Sequence, residues 1–236
     1  MLLNKGPFRC CFAKATKNAE SQQEETVWDK SFKGVPTRNS VVDVGSTKWL
    51  ALKTIDWTDA KGVERKWDVA TRTTKRGMDQ ADAVFIIPIL RSKDTGKKLE
   101  TVLVQQYRPP TGTYTLEFPA GLIDKGESAR DAALRELKEE TGFVGTVDEE
   151  SMILCMSPGL TDEAVKIVVV NVDLDQDENK NPKQMLEEEE DIVIKRVDLV
   201  MGLKDLMEKG SGMPISLLYS FALGVELGRR EANSEE

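Results

Sequence analysis

The sequence predicts a domain of mixed α and β secondary structure. Segments of about four to eight residues rich in Val, Ile and Leu recur between polar turns, which is typical of buried strands. Longer segments instead repeat apolar residues at the spacing of one helix face. The chain has 236 residues, 39% of them hydrophobic, and a chain of that length can bury one substantial core. We therefore expect one main domain with an appendage.

The predicted strands begin at residue 47. Strands over 47–55 and 64–73 flank the turn Asp59-Ala60-Lys61-Gly62 and make a small antiparallel β unit within residues 41–80. The main domain, residues 81–230, follows with strands over 83–90, 101–107, 113–118, 152–156, 165–172 and 192–197. Residues 1–40 are polar, and we expect them to form a disordered tail.

Helices and one long loop complete the predicted secondary structure. Ser128 and Asp131 resemble a capping box at the start of a helix that Gly142 ends. A later helix begins near Pro214, and a short one spans 199–208. Residues 173–191 are nearly all polar or charged, and long loops in compact domains are often functional.

Composition excludes several classes of function. The net charge of -8 argues against a nucleic-acid or anionic-membrane binder, because such partners are attracted by basic surfaces. No apolar run approaches about eighteen residues, so we expect no membrane span. The chain contains no histidine, which excludes a Ser-His-Asp triad, a Cys-His pair and His-ligated zinc. Acid–base chemistry must therefore fall to carboxylates, Lys or Tyr.

The cysteines and the first residues bear on localisation. Cys10, Cys11 and Cys155 form neither a disulfide framework nor a zinc spacing, so we expect a reducing, cytoplasmic location. The first nineteen residues carry four basic residues and no acidic one before Glu20. A mitochondrial transit peptide is therefore the alternative to a plain tail, and a nuclear location stays open.

Three carboxylates share one side of the first predicted helix. Glu136, Glu139 and Glu140 are spaced i, i+3 and i+4, and at about 100° per residue they fall within one arc of about 100°. Three like charges in one arc repel, whereas a hard divalent cation such as Mg²⁺ takes carboxylate and phosphate oxygens together. A solvated helix face is the other interpretation of such a charge run.

The wider spacing favours the metal-binding interpretation. Gly121 is followed after five residues by Glu127 and after seven more by Arg135-Glu136-Leu137, and Glu139-Glu140 and Gly142-Phe143 complete the pattern. With average composition, such a set of positions is met by chance on the order of once in 10⁹ starting positions. The pattern resembles the signature of the Nudix hydrolase family at every defined position.

That resemblance implies a fold, a cofactor and a ligand set. The implied fold is an α/β/α sandwich with a mixed sheet, and the implied activity is hydrolysis of a nucleoside diphosphate linked to another moiety. The metal would be Mg²⁺, with Mn²⁺ as the alternative. Carried over by position, Glu136 and Glu140 would be metal ligands and Glu139 a further ligand or a base. The backbone carbonyl of Ala120 would also bind metal, and Arg135 would orient the carboxylates.

Neighbouring segments narrow the resemblance to one branch of the family. Residues 106–110 (QYRPP), residues 117–121 (EFPAG) and Pro158, sixteen residues after Gly142, look like the ADP-ribose pyrophosphatase branch. The likeness runs from residue 47 to the C-terminal helix and is closest to the eukaryotic ADP-sugar pyrophosphatases. It implies hydrolysis of ADP-ribose and related ADP-sugars to AMP and a sugar phosphate. One departure is Ser157, which stands where a relative carries Asp before Pro-Gly-Leu.

The same resemblance implies a homodimer and a substrate pocket. Trp49 and Trp67, one from each subunit, would enclose the adenine, and indole faces stack well on a nucleobase. Core packing or a dimer interface is the other interpretation of these tryptophans. The guanidinium of an arginine can bind two phosphate oxygens at once. A surface salt bridge is the other interpretation of Arg72 and of Arg108. The further side chains implied to line the pocket are Asp68, Arg72, Arg108 and Leu122.

The acidic loop would supply the last catalytic group. Relatives place a glutamate there just before a strand, close to the attacking water, and Glu190 is the best positional match, with Glu188 second. Two other functions stay open: a diphosphatase for oxidised guanine nucleotides, and a Nudix-like domain that binds ADP-ribose without cleaving it. The intact glutamates of the helix count against the second of these.

Overall fold

The computed structural model describes residues 34–93, 98–209 and 212–234. Its strands are β1 (Thr37–Ser46), β2 (Leu50–Thr58), β3 (Glu64–Arg72), β4 (Ala83–Arg91), β5 (Glu100–Arg108), β6 (Thr113–Glu117), β7 (Ala120–Leu122), β8 (Thr146–Glu150), β9 (Leu154–Cys155), β10 (Ala164–Asp173), β11 (Ile192–Asp198) and β12 (Met213–Pro214). Its helices are α1 (Ala129–Thr141), α2 (Asp177–Lys180), α3 (Leu203–Lys209) and α4 (Ser216–Ser234). The predicted tail lies outside the described residues over positions 1–33.

The main sheet mixes parallel and antiparallel strands. Its path is β12-β6-β5-β4-β10-β8, with β11 paired to β5, β7 to β4 and β9 to β10. β10 runs parallel to β4 and β12 parallel to β6, whereas β5 is antiparallel to both β6 and β11. β4 meets β5 at Leu90 and Glu100, and its other end pairs with β7 instead. β4 and β5 therefore separate, and β7 lies beside the start of β4.

The two faces of this sheet bury two separate cores. Ile86 of β4 packs with Leu137 of α1 in one cluster, whereas the next residue, Ile87, packs with Phe118 and with Leu218 of α4 in the other. Successive strand side chains point to opposite faces, and burying each aliphatic side chain contributes about 1.5–3 kcal/mol. Since α1 covers one face and α3 and α4 cover the other, the predicted α/β/α sandwich is confirmed.

The N-terminal strands form a second sheet in the order β1-β2-β3. The N–H of Asp59 donates to the carbonyl of Val63 at 2.9 Å and Gly62 has a φ of 79°, so the predicted turn is confirmed. β1 begins at Thr37, so residues 37–40, predicted as tail, belong to a strand. Every residue of β1 is exposed, and without burial on one face the sequence has no alternating pattern by which to predict the strand.

The described residues fall into two compact units. One contains residues 34–40 and 56–66, and the other contains 41–55 and 67–234. In the first, Ser40 and Lys66 both donate hydrogen bonds to the carboxylate of Asp56. The second contains both cores of the main sheet and every candidate site residue.

Most other predicted elements are confirmed, with the following differences. The strand predicted over 152–156 is reduced to the two residues of β9, and α3 begins at residue 203 instead of 199. The predicted acidic loop contains the single turn of α2. β7 and β8 have no counterpart in the prediction, because β7 has three residues and β8 is a charged edge strand. In the described part of the chain, no helix is long and apolar enough to cross a membrane.

Candidate active site

Helix α1 carries the three glutamates and is fixed at both ends. The Ser128 side chain accepts a hydrogen bond from the N–H of Asp131 at 3.1 Å. Gly142 has a φ of 76°, and its N–H donates to the carbonyl of Lys138 at 2.8 Å. These contacts confirm the predicted start and end of the helix. With Leu137 fully buried against the sheet, the position from which the glutamates project is fixed.

Glu140 is the most buried of the three glutamates. It is 3% exposed, and its Oε2 accepts a hydrogen bond from the N–H of Ala120 at 3.0 Å. Burial, together with the nearby charges of Glu136 and Glu190, raises the pKa of Glu140 to about 8. Burial also raises the pKa of Glu136, and the charges of Glu139 and Glu190 add to that effect.

Arg135 connects the helix to the segment before it. Its Nε and Nη2 each donate to Glu127 at 2.9 Å, and its Nη1 donates to Glu136 at 2.8 Å and to Glu139 at 3.1 Å. Nη2 also donates to the carbonyl of Leu122 at 2.9 Å. These bonds, led by those to Glu127, raise the pKa of Arg135, so the side chain stays charged. Arg135 therefore offsets part of the negative charge of α1 and ties α1 to β7.

Gly121 leaves the space that the Glu136 carboxylate occupies. A Cβ atom placed on Gly121 would lie 1.9 Å from Cδ and 1.9 Å from Oε1 of Glu136, far inside van der Waals contact. A side chain at this position would therefore displace the Glu136 carboxylate, and the first glycine of the signature leaves room for it.

A cleft of about 510 Å³ opens beside β7. Its walls include Arg72, Arg108 and Leu122, three of the residues predicted to contact substrate, and Ala120 and Gly121. Positions from β3, β5 and β7 are thus brought to one cavity.

Each arginine of the cleft is held by a carboxylate on the same wall. Arg108 donates from Nε and Nη2 to Glu117 at 2.8 and 2.9 Å, although Glu117 is only 4% exposed. Arg72 donates from Nε to Glu163 at 2.6 Å. A guanidinium carries more N–H donors than one carboxylate engages, so each arginine keeps N–H donors beyond those bound to its carboxylate.

The two tryptophans and Asp68 lie apart from this cleft. Trp49 is 57% exposed and Trp67 is 48% exposed, and neither is among the described residues that line the cavity. The carbonyl of Trp49 accepts a hydrogen bond of 3.0 Å from the N–H of Thr73, the residue that follows Arg72 in the sequence. Asp68 accepts a hydrogen bond from Thr54 at 2.7 Å. Within this single chain Trp49, in the turn between β1 and β2, and Trp67, in β3, are therefore surface residues.

The acidic loop places its two candidate glutamates differently. Glu190 is half-buried, and its charge contributes to the raised pKa values of Glu136 and Glu140. Its Oε2 accepts a hydrogen bond from the N–H of Glu187 at 3.0 Å. Glu188 is exposed. Glu190 is thus the loop glutamate that lies near the helix.

The residues around Glu140 fit a hard divalent cation. In the described residues no three acidic, Cys or His side chains converge as a finished metal cage, but Mg²⁺ usually takes one or two carboxylates and completes its shell with water and substrate phosphates. Burial and mutual repulsion disfavour the charged form of these carboxylates, and a cation between them would stabilise that charged form. The residues that would hold it are the predicted ones: Glu136, Glu139, Glu140 and the carbonyl of Ala120.

Comparison with known proteins decides the family. The NUDIX domain matches residues 79–212. The chain belongs to the Nudix hydrolase family. It is 43% identical over 159 residues to the ADP-ribose pyrophosphatase of Saccharomyces cerevisiae, a match that covers 67% of this chain and 68% of the yeast protein. It is 42% identical over 162 residues to the ADP-sugar pyrophosphatase of Mus musculus, covering 69% of this chain and 72% of the mouse protein.

A solved structure supports the same assignment at the level of the fold. The crystal structure of an ADP compounds hydrolase superimposes on this Nudix hydrolase with a TM-score of 0.55 at 23% identity, over 85% of this chain and 95% of the other. The predicted fold is thereby confirmed. The domain match and the two relatives confirm the predicted family, and the protein is an enzyme of the hydrolase class.

Three side chains of this Nudix site were given no role by the sequence. Glu127 and Glu117 lie inside the motifs, where their spacing alone does not indicate that they bind Arg135 and Arg108. Glu163 was given no role because its partner is distant along the chain: 91 residues separate it from Arg72.

Proposed function

We propose that this Nudix hydrolase cleaves the diphosphate bridge of ADP-ribose and related ADP-sugars and releases AMP and a sugar phosphate, with Mg²⁺, or Mn²⁺ in its place. The observation that carries the proposal is the convergence of Arg72 and Arg108 in one cleft with Ala120, whose N–H binds the buried Glu140. The names of the yeast and mouse relatives support the choice of substrate.

Substrate binding is assigned to the arginines and the tryptophans. Arg72 and Arg108 bind the phosphates through guanidinium N–H groups, an interaction strengthened by charge on both partners. The protein acts as a homodimer, and the adenine stacks between Trp49 of one protomer and Trp67 of its partner. The exposure of both indoles supports this assignment. The Lys48 ammonium lies 4.2 Å from the centre of the Trp49 ring, so the adenine would stack on the opposite face of that indole.

The chemistry is assigned to the glutamates. Glu136, Glu139, Glu140 and the carbonyl of Ala120 would hold a divalent cation, which when bound neutralises phosphate charge and lowers the pKa of a water molecule. Glu190 accepts a proton from the attacking water. The water oxygen then bonds to one phosphorus, the bridging P–O bond breaks, and its electron pair leaves with the departing phosphate. Glu188 is the second candidate for the base.

Product analysis tests the proposal. The purified protein, incubated with ADP-ribose and Mg²⁺, should yield AMP and ribose 5-phosphate by chromatography, and none in the presence of EDTA. Glu136→Gln should lose this turnover at saturating Mg²⁺. Intact ADP-ribose after incubation of the wild-type protein would overturn the proposal. Turnover of 8-oxo-dGDP alone would then assign oxidised guanine nucleotides as substrates, and binding of ADP-ribose without products would assign a binding domain.

A further inference from the structure

One amide side chain joins the acidic loop to the end of α1. Nε2 of Gln184 donates to the carbonyl of Glu140 at 2.7 Å and to the carbonyl of Ile192 at 3.0 Å. The carbonyls of a last helical turn lack partners within the helix, so Gln184 satisfies one that the helix leaves open. Ile192 is the first residue of β11. Gln184 thus connects the helix that carries Glu140 to the strand that begins just after Glu190.

The backbone beside Gln184 follows the same helix end. The N–H of Met185 donates to the carbonyl of Glu139 at 2.8 Å, a second carbonyl of the last turn. A Cβ atom placed on Gly142 would lie 2.3 Å from the backbone nitrogen of Lys183, so the loop backbone passes directly over the helix cap. Residues 183–185 therefore form a clamp of main-chain and amide contacts on α1.

The charge of the loop opposes this attachment. Residues 187–191 are four glutamates and one aspartate, and Leu186 alone separates them from the clamp. Glu190 stands two residues before Ile192, whose carbonyl accepts a hydrogen bond from Gln184, and like charges at short range repel. An acidic loop next to an acidic helix face needs attractive contacts to stay there. Gln184 and the N–H of Met185 supply them without adding charge.

We infer that Gln184 is a positioning residue for Glu190: its amide holds the acidic loop on α1, so that the Glu190 carboxylate stays beside Glu136 and Glu140. The inference rests on the proposed function, in which Glu190 takes a proton from the attacking water. Gln184 is not among the described residues that line the cleft. Its removal should therefore affect kcat and leave KM for ADP-ribose nearly unchanged.

Two substitutions and a matched control test the inference. Gln184→Met keeps the side-chain length and removes both N–H donors, and Gln184→Glu also adds a charge. The control, Gln176→Met, makes the same change in the same loop at an exposed residue whose side chain caps no helix. Amide hydrogen exchange over residues 185–191, without substrate or metal, reports loop attachment independently of turnover.

We expect Gln184→Met to accelerate exchange over 185–191 by at least about tenfold and to lower kcat by about 10- to 100-fold, with KM within about twofold of wild type. Gln184→Glu should lower kcat further, and Gln176→Met should change neither quantity. In the Glu190→Gln background, Gln184→Met should cause no additional loss of kcat, because both changes remove the same group from its place.

The outcomes separate the inference from the proposed function. Unchanged exchange in Gln184→Met would overturn the clamp. Faster exchange with unchanged kcat, or full additivity with Glu190→Gln, would overturn the positioning of Glu190 by Gln184. If the wild-type protein does not hydrolyse ADP-ribose, the proposed function fails and with it the catalytic part of the inference, while hydrogen exchange still decides whether Gln184 holds the loop.

Discussion

The backbone N–H of Ala120 donates a hydrogen bond of 3.0 Å to Oε2 of Glu140, twenty residues further along the chain. This bond favours the charged form of the carboxyl, whereas burial and the charges of Glu136 and Glu190 favour the neutral form. The resulting pKa of about 8 leaves Glu140 largely protonated at neutral pH in the metal-free protein. Because metal ligands must be deprotonated, a cation that binds here displaces a proton.

The metal-free protein should lose stability as the pH rises from about 4.5 to about 8. Below that window Glu140 is protonated in both the folded and the unfolded chain. Within the window the folded protein binds the proton more tightly than the unfolded chain, so each rise in pH favours unfolding. The contribution of Glu140 is on the order of a few kcal/mol. Above about pH 8 this contribution of Glu140 no longer changes with pH.

Urea unfolding in EDTA at pH 5, 6.5 and 8 measures this dependence. Glu140→Gln is neutral at every pH and should show a smaller slope of unfolding free energy against pH than the wild type. It should also be the more stable of the two at pH 8 without metal. Equal slopes in the two proteins would contradict the assigned pKa.

Gly121→Ala should displace the Glu136 carboxylate, because the new methyl would lie 1.9 Å from it. We expect kcat to fall on the order of 100-fold, because displacing a catalytic group by about 1 Å can slow the reaction by that factor. Gly224→Ala on α4 is the control: a Cβ there meets nothing within 4 Å, and alanine in a helix stabilises by about 0.5–1 kcal/mol relative to glycine. Wild-type kcat in Gly121→Ala would refute the close approach as a functional constraint.

Arg135→Met should lower both activity and stability. The substitution removes hydrogen bonds to Glu127, Glu136 and Glu139 and leaves their charges to repel one another. We expect a loss on the order of 2 kcal/mol in unfolding free energy and a fall in kcat of at least about tenfold.

Arg130→Met is the matched control for this helix. The Arg130 side chain is half exposed, and its Nη1 lies 3.9 Å from Oε2 of Glu150. Exposed ion pairs of this kind contribute at most about 1 kcal/mol to the free energy of unfolding. Its kcat should equal that of the wild type. Equal effects of the two substitutions on kcat would contradict a specific role for Arg135.

The signature helix could be predicted from the sequence because its determinants are local. Ser128, Asp131 and Gly142 set its ends, and the spacing of Leu137 against the glutamates sets its faces. β7 could not be predicted, since three residues carry no periodicity and the strand exists through its pairing with β4. The same holds for β1, whose residues are all exposed and so follow no alternating pattern.

The carboxylate partners of the cleft also depend on tertiary structure. Arg72 and Glu163 meet only because β3 and the segment before β10 come together, through a bridge between Ala70 and Thr161. Glu190 and Glu188 are equivalent by composition, and the sequence ranks them by position alone. Their different surroundings follow from the path of the loop over α1, where Gln184 binds a main-chain carbonyl that any residue could supply.

Trp49→Ala and Trp67→Ala should each raise KM for ADP-ribose by about 10- to 100-fold, the effect of losing one stacked base contact. kcat should change little, because stacking on the adenine is equally strong in the ground state and in the transition state. Steady-state kinetics with ADP-ribose measure both quantities. A tryptophan that serves only to pack the protein would instead lower the unfolding temperature and leave KM unchanged.

Mixing the two tryptophan variants decides whether the adenine site is shared between protomers. If each site combines Trp49 of one protomer with Trp67 of its partner, a heterodimer of the two variants has one site with both tryptophans and one with neither. After subunit exchange in an equal mixture, about a quarter of all sites should therefore regain wild-type KM. If both tryptophans served the site of their own protomer, no heterodimer site would contain both, and no wild-type component would appear. A monomeric mass in light scattering would exclude the shared site before any mixing, because a single chain would then have to supply both faces of the adenine pocket.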